Sequence, residues 1–180
     1  MDDIVKAALK KWPDVPHCHG WLALDARGDW YMRDDRAQAA GPFAQFKGSR
    51  ITHAKLREFI ERNYAHDEQG GWFFQNGPQR VYVELEAAPW VWRISRGEGE
   101  APRIHSHTGL AAQFESAWLD QTGRLYLATQ LGLGLVHTLD METAADAVSA
   151  GLWLPLDVQS AELPTRFGFV RIPAPAVGKT

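Results

Sequence analysis

The sequence predicts one α+β domain, a mostly antiparallel sheet built of repeated β-hairpins with about three packed helices. Three observations point there. Short runs alternate apolar and polar residues and end at turn-forming residues, as half-buried strands do. Only three stretches, near residues 2–12, 53–63 and 141–150, carry apolar residues at helical spacing or a helix-start signal with a glycine stop. The chain also echoes itself. Leu24-Asp25-Ala26-Arg27-Gly28-Asp29-Trp30-Tyr31-Met32 and Leu119-Asp120-Gln121-Thr122-Gly123-Arg124-Leu125-Tyr126-Leu127 both read Leu-Asp-x-x-Gly-x-apolar-Tyr-apolar. Residues 75–83 are a looser third copy. Asp-x-x-Gly is good hairpin chemistry, because Asp bonds nearby backbone and Gly accepts positive φ. The domain is read as residues 1–180, with pseudo-duplicated halves at 1–95 and 103–180. The alternative is two similar lobes joined near residues 96–102, a stretch rich in Gly and Glu.

Taken in order, Asp2 and Asp3 cap a first helix with Ile4, Val5, Ala8, Leu9 and Trp12 on one face. Pro13 ends it. Residues 21–25 and 29–33 form a hairpin, and residues 34–48 read as a loop. Thr52 is the expected N-cap of the second helix, with Ile51 and Leu56 as a hydrophobic staple. Residues 72–74 and 81–86 are the arms of the central hairpin. Asn76-Gly77 suggests a tight type I′ turn, but Pro78 would then lack a needed N–H. A Pro-led loop of about four or five residues is expected instead. Residues 89–94 form a strand with Trp90 and Trp92 on one face. Residues 116–120 and 124–127 flank the second Asp-x-x-Gly turn. Residues 133–138 form a further strand, on whose face Gly132 and Gly134 leave room for a ring. Asp140 caps a helix that stops at Gly151. Residues 152–158 and 167–172 are final strands, and 173–180 a tail.

Composition narrows the function. The chain has 180 residues, of which 45% are hydrophobic and 23% charged, which suits a globular domain with a sizeable core. Its net charge of −3 offers no basic field for nucleic acid, so a nucleic-acid partner is not expected. Cys18 is the single cysteine, so no disulfide forms within the chain, as suits a reducing compartment. The N-terminus lacks a signal-peptide pattern and no apolar run is long enough to span a membrane. These features together suggest a cytoplasmic protein. There is no Walker loop, no Gly-x-Ser-x-Gly and no His-Glu-x-x-His, and Gly132-x-Gly134 lacks the third glycine of a dinucleotide fingerprint.

Two constellations remain. The central hairpin carries Gln75, Asn76, Gln79 and Arg80, amides and a planar guanidinium suited to orienting a polar ligand. The same amides also suit holding an irregular turn together. The other is a pair of His-x-His motifs, His17/His19 and His105/His107. In an extended segment such residues face one side and can share a metal. Zinc bound there with an open position would activate water for hydrolysis. Cys18 between the first two histidines is a weaker nucleophile candidate.

His19-Gly20-Trp21-Leu22, Arg62-Asn63-Tyr64, His107-Thr108-Gly109 and above all Gln75-Asn76-Gly77-Pro78-Gln79-Arg80-Val81-Tyr82-Val83 resemble a family of bacterial proteins of unknown function. That resemblance implies no activity, cofactor or site residue. The leading expectation is a non-catalytic binding or regulatory protein for a small molecule or a protein, with no cofactor. In it Gln75, Asn76, Gln79 and Arg80 orient the ligand and nearby tryptophans supply apolar contact. The alternative is a metal-dependent hydrolase using zinc on the His-x-His pairs.

Overall fold

The computed structural model describes residues 1–96 and 101–175, so parts of the expected 96–102 loop and of the C-terminal tail lie outside the described residues. The fold is α+β, with two mixed sheets and short helices. Contacts divide the chain into two units. One comprises Met1–Asp25, Asp29–Glu86 and the segment beginning at Phe169; the other comprises Ala26–Gly28 and Ala87–Gly168.

The first unit contains α1 (Asp3–Lys11), β1 (Cys18–Leu24), β2 (Trp30–Met32), α2 (Asp35–Ala40), β3 (Ser49–Arg50), α3 (Ala54–Arg62), β4 (Tyr64–His66), β5 (Trp72–Asn76) and β6 (Gln79–Leu85). Its six strands run β3-β2-β1-β6-β5-β4. β1 and β6 lie parallel at the centre, and the other pairings are antiparallel. The core forms where these central strands bury Ala23, Leu24, Val83 and Leu85, together with Trp30 and Ile60. Arg33 is buried too. It donates to Glu84 at 2.6 Å and to the carbonyls of Gly41 and Phe46. This guanidinium fastens residues 34–48 to the sheet, and within them α2, capped by Asp34, stands where a loop was expected.

Several helix starts differ from expectation. His53, not Thr52, caps α3, its Nδ1 accepting from Leu56 N at 3.3 Å. Asp2 precedes α1 without capping it, because its carboxylate serves Arg62 and Asn63. On α1, Val5 is buried while Ile4 and Trp12 are exposed.

The second unit contains β7 (Trp90–Ser95), β8 (Arg103–Ser106), β9 (Ala111–Ala112), β10 (Phe114–Asp120), β11 (Leu125–Thr129), β12 (Gly132–Val136), α4 (Met141–Ser149), β13 (Leu156–Val158) and α5 (Leu163–Phe167). Its strand order is β13-β10-β11-β12-β7-β8-β9. The pairings β10–β13 and β7–β12 are parallel. Trp90 and Trp92 stack at 6.0 Å, and their indoles donate to Leu131 O and Leu127 O. Gly132 and Gly134 face them. A Cβ at Gly134 would come within 3.0 Å of the Trp92 ring and of Trp90 Cβ, so the strand glycine does leave space for the tryptophans. Asp140 spends its carboxylate on Arg93 and on Ile94 N instead of capping α4. The final-strand expectation is trimmed to β13, and α5 occupies part of the predicted 167–172 strand.

The internal echo is physical and recurs more often than the sequence suggested. At Asp25 and Asp120 the backbone N–H bonds the carbonyl four residues on, and the carboxylate Oδ1 accepts from that residue's N–H. Gly28 and Gly123 both have φ of +80°. The same ring closes at Asp67, onto Gly71 with Gly70 at +80°, and at Ser106, onto Leu110 with Gly109 at +86°. Residues 75–83 are therefore not the third copy. That role belongs to residues 67–71, followed by Trp72-Phe73-Phe74 where the first copy has Trp30-Tyr31-Met32. The central hairpin turns differently: Asn76 pairs with Gln79, leaving only Gly77 and Pro78 between them. Gly77 takes φ of +57° at the first central position and proline's fixed negative φ suits the second. This is the primed-turn pattern led by glycine, so the expected four- or five-residue loop is corrected.

Candidate functional site

The β5–β6 hairpin distributes its polar residues to both faces of the first sheet. Cross-strand partners share a face, and alternate residues oppose each other. Gln75 pairs with Arg80 and Asn76 with Gln79, so the four candidates fall into two pairs facing opposite ways. Gln75 is buried and its amide donates to Gly77 O at 3.0 Å, holding the turn. Gln79 donates to Pro16 O at 3.0 Å, tying down the approach to β1. Arg80 lays its guanidinium over the Phe73 ring, 4.5 Å from its centroid. Asn76 is exposed at the rim of a groove.

That groove lies between α3 and the sheet and encloses about 250 Å³. Sheet residues Leu22, Phe74 and Val81 form its floor, Leu56, Phe59 and Ile60 of α3 form one wall, and Trp21 and Met32 its mouth. The α3 residues recur at helical spacing, which turns them to one side of the helix. Phe59 and Phe74 meet edge to face at 5.4 Å. Ile51 and Leu56 both line it, although with His53 as the cap they no longer hold the N′ and N4 positions of the staple expected from sequence. Asn76 is the one polar residue of the lining among the described residues, Trp21 adding an indole N–H. Trp21 and Met32 are 42% and 49% exposed, which leaves the mouth open and apolar.

A second concavity of about 190 Å³ opens on the other histidine-bearing part of this unit, lined by His17, His19, Asp67, Gln69, Gly71 and Tyr82 with residues 170, 173 and 174. His19 stacks on Tyr82 at 4.5 Å with the rings 12° apart, and His17 meets the same ring edge-on at 5.9 Å. The Tyr82 hydroxyl donates to Asp67 Oδ2 at 2.7 Å. Burial pulls the Asp67 carboxyl upward, but bonds from Tyr82, Gly71 and Gln69 and the Arg80 charge outweigh it and hold the group below its usual range. Burial, aided by the charge of His17, lowers His19. Burial and the Asp67 bond raise Tyr82, which stays a donor.

His105 lies in β8 opposite Arg93, and His107 sits in the Ser106–Leu110 turn, where its Nδ1 accepts from Val91 N at 3.3 Å and its ring packs on Trp90. Among the described residues no group of three or more His, Cys, Asp or Glu is placed to hold a metal ion. Cys18 is half-buried and opposite Val81. Among the described residues no helix is long and apolar enough to cross a membrane. Sequence reasoning missed Asp67 as a site residue. Its signal is the Asp-x-x-Gly pattern of Asp67-Glu68-Gln69-Gly70.

The fold and these two concavities define a small α+β protein with an apolar groove and a polar pocket, and comparison with known proteins agrees in leaving its activity open. The model of the family DUF2944, described as "Protein of unknown function (DUF2946)", matches residues 1–174. The chain belongs to that family. No curated protein matches it. A solved DUF1285 family protein from Silicibacter pomeroyi DSS-3 is 15% identical, with 81% of this chain and 84% of that chain covered and a TM-score of 0.51. This likeness is one of fold. Another DUF1285 family protein, from Shewanella baltica OS155, is 16% identical over 70% of this chain and 91% of that chain, with a TM-score of 0.47.

Proposed function

We propose that the protein is a non-catalytic binding or regulatory protein that takes a compact apolar molecule with one hydrogen-bonding group into the groove beneath α3. The observation that carries this reading is the lining: a concave apolar chamber with one polar residue, Asn76, at its rim. Binding sites are commonly concave and apolar with few placed polar groups. A dry cavity of about 150 Å³ takes benzene, so this groove has room for a bicyclic ring or a short branched chain. The Asn76 amide both donates and accepts, which suits a hydroxyl, carbonyl or amide on the ligand. Of the four hairpin candidates Asn76 alone retains an orienting role; Gln75 and Gln79 hold backbone, and Arg80 belongs to the other face.

Calorimetric titration with 2-naphthol and with naphthalene tests it. The wild type binds 2-naphthol more tightly, by about tenfold for one good hydrogen bond. Asn76→Ala removes that preference and keeps naphthalene binding. Val81→Trp, which fills the floor, abolishes both with the circular dichroism spectrum unchanged. Equal affinity of wild type and Val81→Trp for 2-naphthol would remove the groove as the site.

A further inference from the structure

Tyr82, Asp67 and the His17/His19 pair make a second built site, separate from the apolar groove. Three features define what it accepts. Asp67 Oδ1 is occupied by the N–H groups of Gln69 (3.0 Å) and Gly71 (2.9 Å), whereas Oδ2 accepts from the Tyr82 hydroxyl at 2.7 Å. A carboxylate oxygen accepts more than one bond, so Oδ2 keeps capacity directed at the pocket. The rings of His17, His19 and Tyr82 gather beside it within 5.9 Å of one another's centroids along the Tyr82 contacts. Such rings give the alkyl part of a small ligand an apolar contact surface. The remaining lining, from Val170, Pro173 and Ala174, is uncharged. Gly71 has no side chain to block access, and a Cβ there would press on Tyr82 Cε1 at 2.9 Å and Asp67 Oδ2 at 3.1 Å.

The geometry points to a binding site for a small primary ammonium, its nitrogen on Asp67 Oδ2 and its short alkyl part against the rings and Pro173. Asp67 is an anion at neutral pH, held so by the bonds described above, and lowered His19 is neutral there. The pocket thus presents the Asp67 carboxylate beside the aromatic rings. Arg80 acts electrostatically on Asp67 and bonds the Tyr82 side chain, its guanidinium lying over Phe73. Its charge opposes a cation, so the ammonium is held by direct contact with Asp67 Oδ2. The pocket volume of about 190 Å³ admits a chain of a few carbons.

The test is a titration with n-butylammonium chloride, read from the imidazole C–H resonances of His17 and His19. n-Butanol and potassium chloride at matched ionic strength are the controls. A saturable shift of both histidines with the ammonium and with neither control is expected. Asp67→Asn keeps the turn acceptor and removes the charge, and it raises Kd at least tenfold. His17→Ala, on an exposed residue, raises Kd severalfold with thermal stability unchanged. Asn76→Ala leaves this titration as in the wild type even where groove binding is altered, which separates the two sites. The same response to n-butanol, no saturation, or an unchanged Kd in both Asp67→Asn and His17→Ala would overturn the proposal. If Asp67→Asn fails to fold, His17→Ala decides alone.

Discussion

Replacing Asp120 separates charge from geometry in the repeated turn. Asp120 is buried, and its Oδ1 accepts from Thr122 N at 2.8 Å, Thr122 Oγ1 at 2.7 Å and Arg124 N at 3.0 Å. Asp120→Ala orphans two backbone donors at a part-buried turn. At about 1–3 kcal/mol for each unsatisfied donor, with partial rescue by water, the loss is about 2–4 kcal/mol. Asp120→Asn keeps one oxygen in place and loses the charge, a cost of about 1 kcal/mol. The pH dependence distinguishes the two. Burial raises the Asp120 carboxyl, yet the Thr122 hydroxyl and the turn N–H groups outweigh it, so its folded pKa lies below the ordinary aspartate value of 3.8. A depressed folded pKa contributes stability above the unfolded value and loses it as pH falls through the folded one. The wild-type advantage over Asp120→Asn is therefore full near neutral pH and shrinks as pH falls below about 4. Urea unfolding followed by tryptophan fluorescence at several pH values measures this. An Asp120→Ala loss under about 0.5 kcal/mol, or an Asn penalty that is the same at pH about 3 as at pH about 7, would refute the turn's role.

Other perturbations follow from the same packing. Arg33→Ala leaves the half-buried Glu84 without its 2.6 Å partner and costs about 3 kcal/mol, while Arg33→Met with Glu84→Leu recovers most of it in chemical denaturation. Gly134→Ala drives a Cβ to within 2.7 Å of Trp90 Cβ and closer still to the Trp92 ring. It lowers stability by about 1–3 kcal/mol and changes near-ultraviolet circular dichroism, and an unchanged spectrum would count against the indole packing. His19 has a lowered pKa, so the unfolded chain takes up its proton first. Stability falls as pH drops below the ordinary histidine value of 6.5, and His19→Gln flattens that part of the profile.

The fold class was legible because period-two alternation and turn chemistry are local. The β1–β2 and β10–β11 hairpins, the ends of α3 and the ring-accommodating glycines all follow from neighbouring residues. What escaped the sequence depended on partners far along the chain. Asp2 and Asp140 look like caps but are claimed by Arg62 and by Arg93 and Ile94. The Pro78 argument correctly rejected a turn centred on Asn76-Gly77, but the turn moved by one residue instead of lengthening. The candidate site was half legible. Gln75–Arg80 marked the hairpin, yet strand alternation splits those residues between faces. The groove comes from α3 and β1 packing beside the hairpin, and the Asp67–Tyr82 bond joins the β4–β5 turn to β6, which only the β5–β6 register brings together.

The most direct measurement of groove binding is the set of nuclear Overhauser contacts made by bound 2-naphthol. Cross-peaks from its ring protons to Leu56, Phe59, Phe74 and Val81, lost in Val81→Trp, are expected. Saturating 2-naphthol that contacts only exposed residues such as Ile4 and Trp12, or that keeps its contacts in Val81→Trp, would contradict the account.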